Sequence, residues 1–255
     1  FRLYQDLVKE IRAEDLIVES PVIHLYKKEE DFKGALSIWK ILKNKGIDYE
    51  ELDEPLVRKN EPNLSPDYQF GVLFRNSGFS SNPFRLVEKM SERFLSDGGD
   101  FIHEYVQNIK SDEHGKITLK LENREIQSER VLVAAGAWSH QLASQLGVKI
   151  PLETERGYHV TLNSKEGGPK NIVMEAGHKF MATPMEIGVR FAGTAEFAGL
   201  KTPANKTRAE ILLKLGKKMY PQLEDGETSE WMGHRPSLPD SRPVIDFCPG
   251  NRKII

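Results

Sequence analysis

Apolar positions recur along this chain at two periods, and the changes of period divide it into elements. Residues 3–11 place Leu3, Leu7 and Ile11 on one helical face. Residues 20–26 are rich in strand formers, with Val22, Ile23, Leu25 and Tyr26. Over 29–45, Phe32, Leu36, Trp39 and Leu42 return at helical spacing, and Gly46 suits a C-cap. Residues 53–67 hold Pro55, Pro62 and Pro66 and read as a connection with short turns. Asn82-Pro83 then opens a helix, with Asn as N-cap and Pro in the first turn. Phe84, Val87, Phe94 and Leu95 are its expected buried face, and Gly98-Gly99 ends it. A strand over 101–109, a turn at Glu113-His114-Gly115 and a strand over 117–121 predict a hairpin.

The run Val131-Leu132-Val133-Ala134-Ala135 does not alternate, which is the pattern of a strand buried on both faces of a parallel sheet. Gly136 breaks it, and 138–146 form a short helix closed by Gly147. Beyond Pro151 come strands at 157–163, 171–175, 178–184 and 188–194. A helix over 205–219 follows, with Ile211, Leu212, Leu215 and Met219 on one face. The fold class is therefore mixed α/β: one doubly covered strand of a parallel sheet, then a mostly antiparallel sheet.

Composition removes several function classes. Of 255 residues, 38% are apolar and 29% charged, with a net charge of −2 and a pI near 6.4. No basic surplus exists to neutralise phosphates, so no nucleic-acid partner is expected. Cys248 is the single cysteine, which rules out an internal disulfide and suits a reducing compartment; a structural thiol is the expected role. No apolar run nears the roughly 20 residues of a membrane span, and no signal peptide is visible. The expected location is cytoplasmic. The seven histidines lack metal-ligand spacing, so no metal site is expected. The ends at Phe1 and Ile255 read as those of a fragment cut at both sides.

Chemistry concentrates in three segments. Ala134-Ala135-Gly136-Ala137-Trp138-Ser139 is a strand end of small residues feeding a helix, which lets a ligand approach backbone N–H groups. Glu155-Arg156-Gly157-Tyr158-His159-Val160 offers a cation, a flexible Gly and two polar aromatics at a strand start. Residues 233–245, with Pro236, Pro239 and Pro243, read as a stiff irregular loop carrying Arg235. Arginine presents a planar fork of donors suited to a carboxylate. The alternative is an arginine that ties the loop to a neighbouring acid.

Taken together and in order, these segments resemble the FAD-dependent D-amino-acid oxidase and dehydrogenase superfamily. The similarity is nearest to the small-subunit-like D-amino-acid dehydrogenases and the glycine oxidases. It is carried by GFSSNPFRLVEKM (78–90), AAGAWS (134–139), PLETERGYHVTL (151–162), AGTAEFAG (192–199), MYPQL (219–223) and GHRPSLPDSRPVI (233–245). The resemblance implies a partial Rossmann-like FAD domain with an antiparallel-sheet substrate domain. Residues 1–75 would supply substrate-domain helices and a first strand, and 76–150 part of the FAD domain. Residues 151–232 would supply the substrate-binding sheet and helix, and 233–255 the return to the FAD domain.

It also implies an enzyme using FAD for oxidative deamination of a D-amino acid. The alternatives are a glycine, sarcosine or secondary-amine oxidase on the same scaffold, or a non-catalytic carboxylate-binding module. No side chain is assigned as catalytic, because the flavin carries the chemistry. By resemblance Arg235 grips the substrate carboxylate, and Tyr158 and His159 face the substrate cavity. Phe180 stands where glycine-oxidase-like members have a Tyr hydroxyl. Ala135, Gly136 and Trp138 pass close to the FAD, and Pro236 and Asp240 border its ring. The partner implied is a small amino acid, with no obligate protein partner; a peripheral membrane or quinone contact stays open. The chain departs from the family in lacking G-x-G-x-x-G and the glycine- and histidine-rich closing segment. It also carries Asp246 where a Gly is usual, which would weaken a turn needing positive φ.

Overall fold

The computed structural model describes residues 2–112 and 114–255. Its helices are α1 (Arg2–Glu10), α2 (Glu29–Asn44), α3 (Glu54–Asn60), α4 (Pro83–Ser96), α5 (Ser139–Gln145) and α6 (Thr207–Met219). The strands up to Ser128 are β1 (Ile17–Glu19), β2 (Val22–Tyr26), β3 (Glu50–Leu52), β4 (Phe70–Phe74), β5 (Gly78–Ser80), β6 (Asn108–Ser111), β7 (Ile117–Lys120) and β8 (Glu125–Ser128). The later strands are β9 (Glu153–Leu162), β10 (Ile172–Glu175), β11 (Phe180–Met185), β12 (Gly188–Glu196) and β13 (Thr228–Ser237). The chain forms two compact units. The first comprises the described residues up to Gly99 with Tyr158–Thr194 and Asn205–Met232; the second comprises Asp100–Gly157, Ala195–Ala204 and Gly233–Ile255. Residues 76–99, grouped from sequence with 100–150, thus cluster with the first unit, and the unit boundaries fall within β9, β12 and β13.

The first unit is built on a sheet of order β13-β9-β12-β11-β10-β2-β4-β3. β3–β4, β4–β2, β10–β11 and β11–β12 pair antiparallel, whereas β10 and β2 run parallel. The register lines up Leu73, Ile23, Val173, Ala182 and Phe191 in one row across five strands. All five are buried, and with Val57 of α3 and Ala209, Leu212 and Met219 of α6 they form the main core. Each large side chain buried this way contributes about 1.5–3 kcal/mol. The other face of β2 and β4 carries Tyr26 and Val72, which pack under Phe32 and Trp39 of α2. The Trp39 indole N–H donates to the Tyr26 hydroxyl at 3.1 Å.

A buried carboxylate joins three segments of this unit. Glu61, at the end of α3, has no exposed surface. It accepts from the backbone N–H of Lys170 (3.1 Å) and Asn171 (2.7 Å), the Asn171 side chain (2.8 Å) and the Tyr220 hydroxyl (3.0 Å). Burial pushes its carboxyl above the usual carboxylate range, while these donors pull the other way.

Local chemistry explains where the structure departs from the sequence reading. Within 53–67, α3 forms because Asp53 caps it, accepting from the Leu56 N–H at 3.1 Å, and Pro55 sits in the first turn, where its missing N–H costs nothing. Asn82 caps α4 as expected, accepting from the Arg85 N–H at 3.2 Å. The expected buried face of α4 is a correction: Phe84 is 71% exposed, Val87, Phe94 and Leu95 at least half exposed, and Leu86 is the buried position. Leu86 instead joins Val8, Ile11, Ala13 and Leu16 in a satellite core.

In the second unit β6, β7 and β8 form an antiparallel meander. The expected strand 101–109 pairs only from Asn108, and β8 was not foreseen; Glu113 of the expected turn lies outside the described residues. The helix expected at 138–146 is α5, and Gly147 takes a positive φ of 77°. Ile109, Ile117 and Ile254 centre this unit's core, with Val131, Val133, Leu142 and Leu146 against them. Residues 131–135 are not doubly buried. Val131 makes a single parallel bridge to Ile254, and Leu132 is 67% exposed. A strand buried on both faces needs covering layers on each, and among the described residues only one face of this run is packed.

Replacing Glu61 by Ala leaves the Lys170 and Asn171 backbone N–H groups and the Tyr220 hydroxyl without their acceptor. It is expected to lower the unfolding free energy by about 3 kcal/mol or more, and Tyr220→Phe by about 1 kcal/mol. Shifts of the urea midpoint at unchanged m-value measure both.

Candidate functional site

The segment 233–237 is the second half of β13, not a loop. In the second unit Arg235 lies flat against β9. Its Nη1 donates to Glu155 Oε1 at 2.8 Å, and the Ser237 hydroxyl reaches Glu155 Oε2 at 3.4 Å. Gly157 makes this possible, because a Cβ there would stand 2.3 Å from Nη2 and 2.6 Å from Cζ of Arg235. The neutral alternative, an arginine tied to an acid, is thus the arrangement present. The pair is half-exposed, and ion pairs of that kind are worth about 0.2–1 kcal/mol. A second carboxylate bound in bidentate fashion competes easily with so weak a contact.

The chain neighbours of Arg235 and Glu155 pair as well, on the opposite face of the two strands. His234 Nδ1 lies 2.8 Å from the Thr154 hydroxyl, and the His234 ring meets Trp138 edge-on at 5.2 Å. Trp138 ends a short 3-10 turn that begins at Gly136, whose φ is +54°. Nothing lies within 4 Å of where a Gly136 Cβ would be, and Ala134 and Gly136 are exposed. The backbone over 134–136 is therefore open to close approach by a flat group. Pro236 and Asp240 are exposed beyond Arg235, and Asp240 accepts from the Arg242 N–H at 3.1 Å to close a turn. Asp246 is not among the described residues with positive φ, so the concern raised by its replacing a Gly does not apply here. Arg156, the cation of the second sequence segment, is fully buried; it donates to Glu196 at 3.1 Å and closely to the Thr202 carbonyl.

In the first unit β9 alternates in the same way. Tyr158, Val160 and Leu162 enter the core, whereas His159 and Thr161 take the other face. Tyr158 is 3% exposed, and its hydroxyl accepts from the Asn205 N–H at 3.1 Å. Phe180 is buried in the same core. Tyr158 and Phe180 thus pack inside the unit, and the pleat turns His159 to the opposite face. His159 stacks on Trp231 at 5.0 Å and 17° between planes. Burial, and after it the charge of Arg190, push the His159 imidazole down to about 4.

Over its whole length, residues 1–255, the chain matches the family model described as DAO, FAD dependent oxidoreductase. The chain belongs to this family. It is 34% identical over 257 residues to a D-amino-acid oxidase of Bradyrhizobium diazoefficiens, covering 99% of this chain and 61% of that protein. With a D-amino acid dehydrogenase of Dechloromonas aromatica it shares 26% over 239 residues, 89% of this chain and 57% of the relative. The fold is that of glycine oxidase from Geobacillus kaustophilus, at a TM-score of 0.87 and 20% identity, with 99% of this chain and 70% of that one aligned. The chain spans about three-fifths of the length of these sequence relatives.

FAD is the cofactor of this family. The open backbone at 134–136, ending in the Trp138 ring, fits one side of such a flat group. A G-x-G-x-x-G turn for its pyrophosphate is absent from the 255 residues. No helix among the described residues is long and apolar enough to cross a membrane.

Two outcomes test this geometry. Gly157→Ala displaces only the flexible end of Arg235, so it is expected to change stability by less than about 1 kcal/mol. It should nevertheless abolish the Glu155–Arg235 coupling in a double-mutant cycle. His159, held at about 4 in the fold against 6.5 for an ordinary imidazole, opposes its own protonation. Its contribution to stability is whole above pH 6.5 and is lost as the pH falls toward 4. The unfolding midpoint should drop across that window, and less steeply in His159→Gln, where His24, also lowered by burial, still contributes.

Proposed function

We propose that the protein containing this chain is a flavoenzyme that oxidatively deaminates a D-amino acid. The observation that carries the proposal is the Arg235 guanidinium, laid over Gly157 and held by one weak acid contact, in a chain 34% identical to a D-amino-acid oxidase. FAD, when bound, supplies the acceptor for the hydride leaving the substrate α-carbon, and the resulting imine hydrolyses to a keto acid and ammonia. The chain's own residues bind and orient. Arg235 exchanges its Glu155 contact for the substrate carboxylate, which fixes the α-carbon by a charge-assisted pair. Ala135 and Gly136 offer backbone close to the cofactor, and Trp138 a flat wall beside it. Pro236 stiffens the strand next to Arg235, and Asp240 holds the turn that follows. The buried places of Tyr158 and Phe180 favour a supporting role for both, behind the sheet face that carries His159.

The test is the visible spectrum of the purified full-length protein. Flavin bands that bleach with D-alanine or D-proline under argon are expected; a protein that stays colourless with added FAD sinks the proposal. In the active protein Arg235→Ala should raise KM for the amino acid roughly 10- to 100-fold, the worth of a hydrogen bond between charged partners. An unchanged KM removes the assigned role.

A further inference from the structure

Helix α2 packs one face on the sheet and leaves an apolar stripe on the other. Phe32 and Trp39 are its buried positions, with Ala35, Leu36 and Leu42 packed alongside. Ile38 and Ile41 fall on the far side of the helix, and they are 59% and 60% exposed. Gly34, one turn before Ile38, is exposed too, and among the described residues nothing lies within 4 Å of where its Cβ would be. Its φ is not positive, so the backbone does not require a glycine. Glycine inside a helix costs about 1 kcal/mol relative to alanine, and nothing within the fold offsets that cost here. The stripe ends in opposite charges. Glu30 lies in the first turn and Lys45 at the C-cap. The spacing 30, 34, 38, 41 and 45 keeps all five positions on one face. Glu30 meets Lys28 at 3.5 Å with both side chains mostly exposed, a contact weak enough to be exchanged.

We infer that this stripe is the contact surface of a homodimer, in which α2 packs antiparallel on α2 of a second copy. A two-fold axis crossing the helix between Ser37 and Ile38 makes the stripe complementary to itself. It sets Gly34 opposite Ile41 of the other copy, so that a bulky side chain meets the space a glycine leaves. The same axis sets Glu30 opposite Lys45 of the other copy, once at each end of the contact. A parallel pairing would instead place Glu30 beside Glu30 and Lys45 beside Lys45, and like charges in register are repulsive. The antiparallel direction also opposes the two helix dipoles. Gly34 lets the axes approach to about 8 Å, the near end of the usual helix spacing. The 16 residues of α2 extend about 24 Å. Two helices of that length bury less than the roughly 1,600 Å² of a standard interface, so the dimer is weak and concentration-dependent. The contact does not depend on the flavin reaction or on the role proposed for Arg235.

Sedimentation velocity of the full-length protein, from low to high micromolar concentration, tests the inference. A reversible rise toward the mass of a dimer is expected. Ile41→Glu should raise the dissociation constant roughly tenfold or more, because each copy then buries a carboxylate against apolar surface. Ile41 is exposed in the single chain, so the unfolding midpoint of this variant in dilute solution should not move. Glu30→Lys and Lys45→Glu should each weaken the dimer several-fold, and the two exchanged together should restore it to within about twofold. A monomer at every concentration overturns the inference. So does unchanged assembly in a folded Ile41→Glu variant, which assigns the contact to another surface. Failure of the double charge exchange to restore affinity overturns the antiparallel register. If other residues of the full-length chain cover the stripe, Ile41→Glu lowers the unfolding midpoint of a monomer, and that result also overturns it.

Discussion

The pleat of β9 is the constraint on which the candidate chemistry depends. Successive side chains must alternate, so committing Tyr158, Val160 and Leu162 to the core commits His159 and Thr161 to the other face. Earlier on the same strand the missing side chain of Gly157 leaves a bed for a guanidinium, and Glu155, two residues before it, presents its carboxylate to hold it. A shift of one residue would bury the histidine and expose the tyrosine, at the cost of the core row from Leu73 to Phe191. That row is what forbids the shift.

Three arginines lie along these strands, and their surroundings separate their roles. Arg156 is fully buried with an acid and a carbonyl as partners, so it ties parts of the second unit together. Arg235 is half-exposed on a glycine bed with one weakly held acid, which suits exchange of partners. Arg190 is half-buried and donates to the Thr161 hydroxyl at 3.2 Å. The same residue type thus stands in three different surroundings, set apart by burial and by the acids in reach.

Each unit buries a core of its own and leaves other apolar side chains in water. In the first, a row crossing five strands is closed by α3 and α6, and Glu61 is satisfied by four donors. In the second, Leu132, Val244 and Ile245 are each more than 60% exposed. A contiguous apolar run that meets water is unusual for strand residues in a closed core, which is why the sequence suggested a covered strand at 131–135.

Periodicity and caps determined much of the architecture. The helical repeats of α2 and α6, the Asn82 cap, the positive φ at Gly147 and the strands of the large sheet follow from local propensity and residue geometry, which act over a few positions. The family, too, was legible in the AAGAWS and GHRPSLPDSRPVI segments. Tertiary structure alone decided the rest. Whether the apolar stripe of α4 is covered, whether 131–135 has sheet on both faces, and which acid Arg235 meets all depend on residues distant in the chain. The sequence placed Tyr158 and His159 together as neighbours, but the sheet sends them to opposite faces. It did not mark Arg190, because an arginine is unremarkable until its tertiary surroundings are known. Propensity is a property of a short segment, whereas burial and charge pairing belong to the packed whole.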